Sequence, residues 1–401
     1  MRNQFELDES IIYLNNGTHS IVPRKILTAI TSYQKEYERN PTQGLMNAWG
    51  RLWDVQKKVG KFLNARPEDL FFRPNVTEAL NAIILGVDLP AGSEILAADL
   101  EYGAIVNQCR YRAERDGLKF RQYTLKNLGS GRSEGEVFET VVRELKPETS
   151  LLLLSHVVTA NGLKPPIKKI AKHCRERGVL LVADGAHSTG AMPVDFGDLA
   201  DVDFYAGNFH KWMMGPKGTG FGWVHERNQD KMSLVSAGWT TFEKPKPFEL
   251  FGGGSRFAEK LFFSACRDFA PFFALGDLVD CWTTDWNPET IHARIRELQK
   301  FCIAEVEREL GWKLLSPQDE RLRGPLVSFA LPESWAAQGY SLMTELLEKD
   351  KLQLSFAPYG EPVGKSFCVR FSPHVYNTEE EITTAMKVLR KRVDRTRVTG
   401  A

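Results

Sequence analysis

The stretch Asp203–Val224, DFYAGNFHKWMMGPKGTGFGWV, decides how the chain is read. Asp203-Phe204-Tyr205-Ala206 is an apolar, strand-like run that stops at Gly207. Asn208, His210 and Lys211 follow, then a Gly215-Pro216 break and a second apolar strand over Thr219–Val224. A lysine on such a connection sits inside a compact domain, where lysine is rarely buried without a partner. Two readings stand: a solvated hairpin lysine, or an amine made nucleophilic by a lowered pKa and carrying an aldehyde cofactor as a Schiff base. Lys217 is the local rival, with Pro and Gly neighbours that mark a solvated turn. The surroundings of Lys211 choose between the readings.

Upstream of this stretch the chain alternates between strands and helices. Residues 94–98, 118–124, 151–158 and 179–188 read as strands, separated by helical segments that end near Gly117, Leu145 and Gly178. The runs at 151–158 and 179–188 are continuous rather than alternating, as in strands buried on both faces. This rhythm predicts a parallel sheet with right-handed crossovers. Ligands of open α/β sheets sit beyond the carboxyl ends of the strands. Thr159, Asp184, His187 and Lys211 all follow such ends.

Nearer the N-terminus, Asn75 stands three residues before Glu78 at the start of an apolar helix, a capping-box pattern. Thr77 in its first turn makes this helix start a candidate anion site, although plain capping is the commoner use. Two amphipathic helices are expected at 24–39 and 47–63, separated by Asn40-Pro41. The cluster Asn15-Asn16-Gly17-Thr18 after the apolar run 11–14 reads as a turn or as the lining of a site. Beyond Trp239, residues 240–260 form a loop containing Gly252-Gly253-Gly254. Strands at 325–332 and 366–373, with helices at 268–283, 289–309, 341–349 and 378–393, make a smaller α/β unit. The expected division is a large domain over 15–265 and a small one over 266–401, joined by the segment 1–14.

Composition narrows the function classes. The 401 residues carry a formal charge of +1, which argues against an obligate nucleic-acid or anionic-membrane partner. No apolar run approaches the ~20 residues that span a bilayer. The start, MRNQFELDES, has acids and no apolar core of a secretory leader. The six cysteines show no metal-ligand spacing, so no metal is expected, and free thiols in a reducing cytoplasm fit them best.

Four separated motifs carry a resemblance: Asn75-Val76-Thr77-Glu78, Glu101-Tyr102-Gly103-Ala104, Asp184-Gly185-Ala186-His187 and Gly207-Asn208-Phe209-His210-Lys211-Trp212. With Val369-Arg370-Phe371-Ser372-Pro373-His374-Val375-Tyr376-Asn377-Thr378 they resemble class V aminotransferase-fold enzymes that use pyridoxal 5′-phosphate (PLP). Among these the isopenicillin N epimerase-like group is the nearest in look, with cysteine desulfurases and selenocysteine lyases as cousins. The resemblance implies the fold type I architecture of PLP enzymes, a mostly parallel seven-stranded large domain and a small C-terminal α/β domain. It implies that Lys211 holds PLP, Asp184 pairs with the ring nitrogen, and Tyr102 stacks on the ring face away from Lys211. It gives His187 and Thr159, with Asn161 as a substitute for Thr159, the cofactor's phenolic oxygen. Thr77, the Val76 amide, Asn208 and His210 would hold the phosphate. Arg370, with Asn16, would bind the substrate α-carboxylate, since a guanidinium fits a planar anion. The segment Ala265-Cys266-Arg267-Asp268 resembles one that reaches a neighbour's phosphate, which implies a homodimer with shared sites, although relatives often carry Gly-Thr where Ala265-Cys266 stand.

The implied activity lies at the α-carbon of an amino acid: epimerisation, or β-elimination from a sulfur- or oxygen-substituted substrate. Transamination and desulfurase chemistry are alternatives, as is a catalytically silent binding protein. No cysteine lies between residues 340 and 367, which counts against a desulfurase nucleophile on a loop there.

Overall fold

The apolar runs flanking Lys211 assemble into a seven-stranded sheet in a computed structural model that describes residues 1–125, 131–238, 241, 256–261, 266–359 and 367–399. After a two-residue β1 (Ile12–Tyr13), the sheet strands are β2 (Leu70–Arg73), β3 (Glu94–Ala98), β4 (Lys119–Tyr123), β5 (Thr149–Ser155), β6 (Leu180–Gly185), β7 (Phe204–Asn208) and β8 (Gly220–Val224). Their spatial order is β2-β8-β7-β6-β5-β3-β4. Pairings from β4 through β7 are parallel, while β8 runs antiparallel to both β7 and β2. The expected, mostly parallel sheet is therefore present.

Strand side chains alternate between two cores, as a period of two requires. Leu96, Leu152, Leu154, Leu181, Ala183 and Tyr205 face one core. Ile95, Leu151, Leu153, Val182, Phe204 and Ala206 face the other. The helices are α1 (Arg24–Arg39), α2 (Pro41–Phe62), α3 (Val76–Gly86), α4 (Gly103–Asp116), α5 (Glu134–Arg143), α6 (Ile167–Glu176), α7 (Arg256–Leu261) and α8 (Ala270–Asp280). α3 and α4 supply Val76, Ala79, Leu80, Ile83, Ile105 and Cys109 to the second core. Helices on both faces explain why β3, β7 and β8 are buried along their whole length.

Asn40-Pro41 does end α1, but the next helix begins at once rather than near residue 47. Asn40 is its N-cap, with Oδ1 accepting from Gln43 N at 3.2 Å, and Pro41 occupies the first helical position, where no amide proton is needed.

The C-terminal unit contains α9 (Pro288–Leu310), β9 (Val327–Ala330), α10 (Glu333–Ala336), α11 (Tyr340–Asp350), β10 (Leu352–Gln353), β11 (Ser355–Pro358), β12 (Phe367–Phe371) and α12 (Glu379–Thr399). Its antiparallel sheet has the order β11-β12-β9 over a third core that includes Leu298, Cys302, Phe329, Phe371 and Ile382. β1 pairs in parallel with β10, so the N-terminal segment is stitched to this unit. A boundary at 265/266 would put α8 here as well. Instead α8 packs on α1 and α2, and its Phe272, Phe273, Leu275 and Leu278 join the first core. Among the described residues no helix is long and apolar enough to cross a membrane. The Gly252-Gly253-Gly254 loop lies outside the described residues.

Candidate active site

Lys211 sits in the connection between β7 and β8. Backbone bonds from Gly215 N to the Phe209 carbonyl, 2.7 Å, and from Met214 N to the Lys211 carbonyl, 2.9 Å, close the turn. Met214 takes a left-handed φ of 60°, a costly conformation that packing must hold, and its side chain is fully buried. Gly190, at φ 85°, passes so close that a Cβ there would lie 2.4 Å from Met213 N. Only glycine suits that approach.

Burial of the Lys211 amine and the Arg370 guanidinium beside it, opposed by Asp184, together draw its pKa down to about 8. The Lys217 amine is also drawn to about 8 by its surroundings, so position separates the two. Lys217 lies at the surface and donates to the Ser20 carbonyl. Lys211 faces Asp184 and Arg370. Asp184, buried at the end of β6, accepts from Ala186 N at 2.9 Å; burial raises its pKa, while that amide and Lys211 hold it back.

Thr159 is the meeting point of two predicted residues. His187 Nε2 lies 3.0 Å from Thr159 Oγ1. Arg370 Nη1 donates to the same oxygen at 2.9 Å and to the Thr159 carbonyl at 3.1 Å. Arg370 Nη2 donates to Thr18 Oγ1 at 3.2 Å. The guanidinium is buried, which lowers its pKa to about 10, and its Nε has no partner among the described residues. A buried donor left unpaired is costly, and a ligand anion would satisfy it. Asn161 Oδ1 accepts from Leu163 N at 3.0 Å.

At the start of α3, Asn75 Oδ1 accepts from Glu78 N at 2.9 Å, the expected cap. The Val76 amide, expected to hold an anion, is already committed: it donates to Asn208 Oδ1 at 2.9 Å. Two residues assigned to a ligand thus satisfy each other and pin the helix start to the end of β7. Thr77 keeps its amide and hydroxyl free of partners among the described residues. Gly220 permits this approach, since a Cβ there would lie 2.9 Å from the Asn75 Cα. His210 Nδ1 pairs with the Thr219 carbonyl at 2.9 Å, and burial depresses its pKa to about 3. The neutral ring therefore presents a lone pair at Nε2; an anion beside it would favour uptake of a second proton there, making Nε2 a donor.

Tyr102, the N-cap residue of α4, is 53% exposed and lies within electrostatic reach of Arg370. Glu101 stands beside it, a residue to which the sequence reading gives no role. It is fully buried and accepts from Ser155 N at 2.9 Å and from the Ser155 hydroxyl. Burial pushes its carboxyl up to about 8, with Asp184 and Asp99 adding to the effect. A carboxylate placed between the buried β3 and the start of α4 was the available signal.

One assignment does not survive the geometry. Asn16 has no free side-chain group for a substrate: Nδ2 donates to the Ser372 carbonyl at 2.9 Å and to Asn377 Oδ1 at 3.1 Å, while Oδ1 accepts from the Tyr376 hydroxyl. It is a joint between the chain ends. Cys266 is exposed and shares a surface cavity with Tyr37 and Asp268; no residue of the Lys211 cluster lines that cavity. The other cysteines are buried, and Cys368 has its thiol pushed up to about 12 by burial. Among the described residues no group of three His, Cys, Asp or Glu side chains could hold a metal.

The chain matches the Aminotransferase class-V family over residues 12–384. It is 31% identical to isopenicillin N epimerase of Amycolatopsis lactamdurans, covering 97% of each chain. Isopenicillin N epimerase of Streptomyces clavuligerus is 29% identical, with 95% of this chain and 94% of that one covered. Two solved structures of C-DES share the fold. One, a variant with glycine covalently linked to the PLP cofactor, has a TM-score of 0.83 at 24% identity and covers 97% of this chain and 99% of that one. The other, a cystine C–S lyase in complex with its product cysteine persulfide, has a TM-score of 0.82 at 24% identity, covering 95% and 98%. The match over nearly the whole length, with Lys211 facing Asp184 beyond the strand ends, means that the chain belongs to the class V aminotransferase family.

Proposed function

We propose that this protein is a PLP-dependent enzyme that removes the α-proton of an amino acid, for epimerisation first and for β-elimination of a sulfur substituent second. The observation that carries the reading is the Lys211 amine facing Asp184 and Arg370 beyond the strand ends, its pKa lowered to about 8 chiefly by burial. Near neutral pH such an amine is neutral in a useful fraction and can act as nucleophile and base.

The residues present fit the cofactor. Lys211 would carry its aldehyde, and Asp184 would face the ring nitrogen. Thr77, with a free amide and hydroxyl at the positive end of α3, would take the phosphate together with His210. Tyr102 would cover the ring, and Thr159 would donate its hydroxyl proton, since that oxygen already accepts from Arg370. When bound, PLP supplies an electron sink for the pair left behind at the α-carbon. Arg370 has an unpartnered Nε to offer the substrate carboxylate. Lys211 takes the α-proton on one face, and Tyr102 stands ready for the other. Epimerisation is placed first because two relatives of that name match over nearly their full length. Elimination needs only Lys211 and a leaving group, and a C–S lyase shares the fold. The buried Cys368, and the place of Cys266 in a cavity lined by none of the Lys211 cluster, count against a desulfurase thiolate supplied by the same chain.

A homodimer is part of this proposal. Leu27 and Met46 are exposed on α1 and α2, and the Cys266 segment lies beside Tyr37 of α1.

The test is deuterium exchange. The PLP-loaded protein is incubated in heavy water with a panel of L- and D-amino acids and cysteine conjugates. Exchange of the α-proton for at least one of them is expected, with appearance of the other enantiomer or of a ketoacid. No exchange across the panel, with PLP bound, would overturn the reading.

A further inference from the structure

We propose that Trp212 is a positioning residue whose indole N–H fixes the ring proton of His187 on Nε2, toward Thr159. Trp212 follows Lys211 directly and is fully buried. Its Nε1 donates to His187 Nδ1 at 3.3 Å. An indole nitrogen can only donate, so Nδ1 must be the bare, accepting nitrogen. The single proton of the neutral ring then sits on Nε2 and is donated to Thr159 Oγ1 at 3.0 Å. Which nitrogen of a histidine carries the proton is set by the partner of the other one.

The surroundings keep this ring neutral. His187 is buried, and the charged groups within reach are both cations, Lys211 and Arg370. A second proton would have to be held among them with no carboxylate partner on the ring. The Trp212 indole is itself held. His374 Nδ1 accepts from Val375 N at 2.8 Å, so its Nε2 carries the proton and donates to the Trp212 carbonyl at 3.0 Å. The His374 ring stacks on Trp212 with centroids 5.7 Å apart and planes 22° apart.

The contacts close a circuit. Arg370 donates to Thr159, Thr159 accepts from His187, His187 accepts from Trp212, and Trp212 accepts from His374, four residues after Arg370. One C-terminal segment thus grips the Lys211 connection directly and through Thr159. The outcome is a Thr159 oxygen that accepts from two donors and has only its own proton left to give. This orients the hydroxyl without asking His187 to change charge.

Nitrogen-15 NMR of histidine-labelled protein tests this, with and without PLP, using His187→Gln to assign the signal. In the wild-type protein His187 should show a bare Nδ1 and a protonated Nε2, unchanged between about pH 6 and 8, because its pKa is held well below the usual histidine value. Trp212→Phe keeps a ring against His374 and leaves the backbone carbonyl in place, but deletes the N–H. It should lose the single-tautomer signature at His187. A wild-type spectrum with the proton on Nδ1 would overturn the proposal even if the variant failed to fold. So would a folded Trp212→Phe protein whose His187 signals match wild type.

Discussion

Asn208, the last residue of β7, accepts a hydrogen bond from the amide of Val76, the first residue of α3, at 2.9 Å. The bond ties the strand leading to Lys211 to the helix start that holds Thr77. Both groups are buried. Removing the acceptor leaves a buried amide unpaired, at a cost of about 1–3 kcal/mol. Asn208→Leu should therefore lower stability to denaturant by about that amount, while Asn208→Asp, which keeps an acceptor, should lose much less. Equal losses in urea titrations of the two variants would remove the bond from the account.

Tyr102 separates epimerase from lyase. Its ring is poised as a platform, and aromatic contact is worth ~0.5–1.5 kcal/mol beyond burial. Tyr102→Phe keeps the ring and deletes the hydroxyl. If the hydroxyl returns a proton opposite Lys211, the variant should still exchange the α-proton of one enantiomer in heavy water but stop interconverting the two. If the enzyme is a lyase, elimination should persist within about tenfold, equivalent to ~1.4 kcal/mol. Loss of all exchange with PLP still bound would contradict both roles.

Glu101 predicts a pH dependence of stability. Burial raises its pKa from 4.5 to about 8. Between those values the folded protein holds a proton that the unfolded chain has released, so this group's contribution to stability falls as pH rises from about 5 to 8. Gln cannot ionise but can still accept from the Ser155 amide. The stability of wild type relative to Glu101→Gln, from melts at a series of pH values, should decline across that window. A difference independent of pH would mean that Glu101 is not held protonated.

The strands beside the site were readable because continuous apolar runs of β5, β6 and β7 bury both faces. The short β2, Leu70–Arg73, was not, since four residues before a helix cap carry little pattern of their own. The role of Asn16 was unreadable for a different reason. Its partners Ser372 and Asn377 lie 356 and 361 residues away in sequence, and nothing local tells a joint from a ligand contact. Val76 failed similarly: a helix-start amide reads as an anion site until a residue 132 positions on proves to occupy it. Lys211, Asp184, His187, Thr159 and Arg370 were brought together because each stands at a strand end or on a strand entering the same space.

Assembly is testable directly. The exposed Leu27 and Met46, with the Cys266 segment beside α1, should be covered by a second copy. Light scattering of the purified protein at micromolar concentration should report a dimer of the 45.4 kDa chain. A monomer with full activity would rule out shared sites.

The most direct test of the whole account is where the cofactor attaches. Purified with PLP, the protein should absorb in the visible, and borohydride should fix the pyridoxyl group to one lysine. Peptide mapping should place it on Lys211, and Lys211→Ala should abolish the labelling. A label on Lys217, whose amine is equally lowered to about 8 but lies at the surface, or no label on any lysine, would contradict the account.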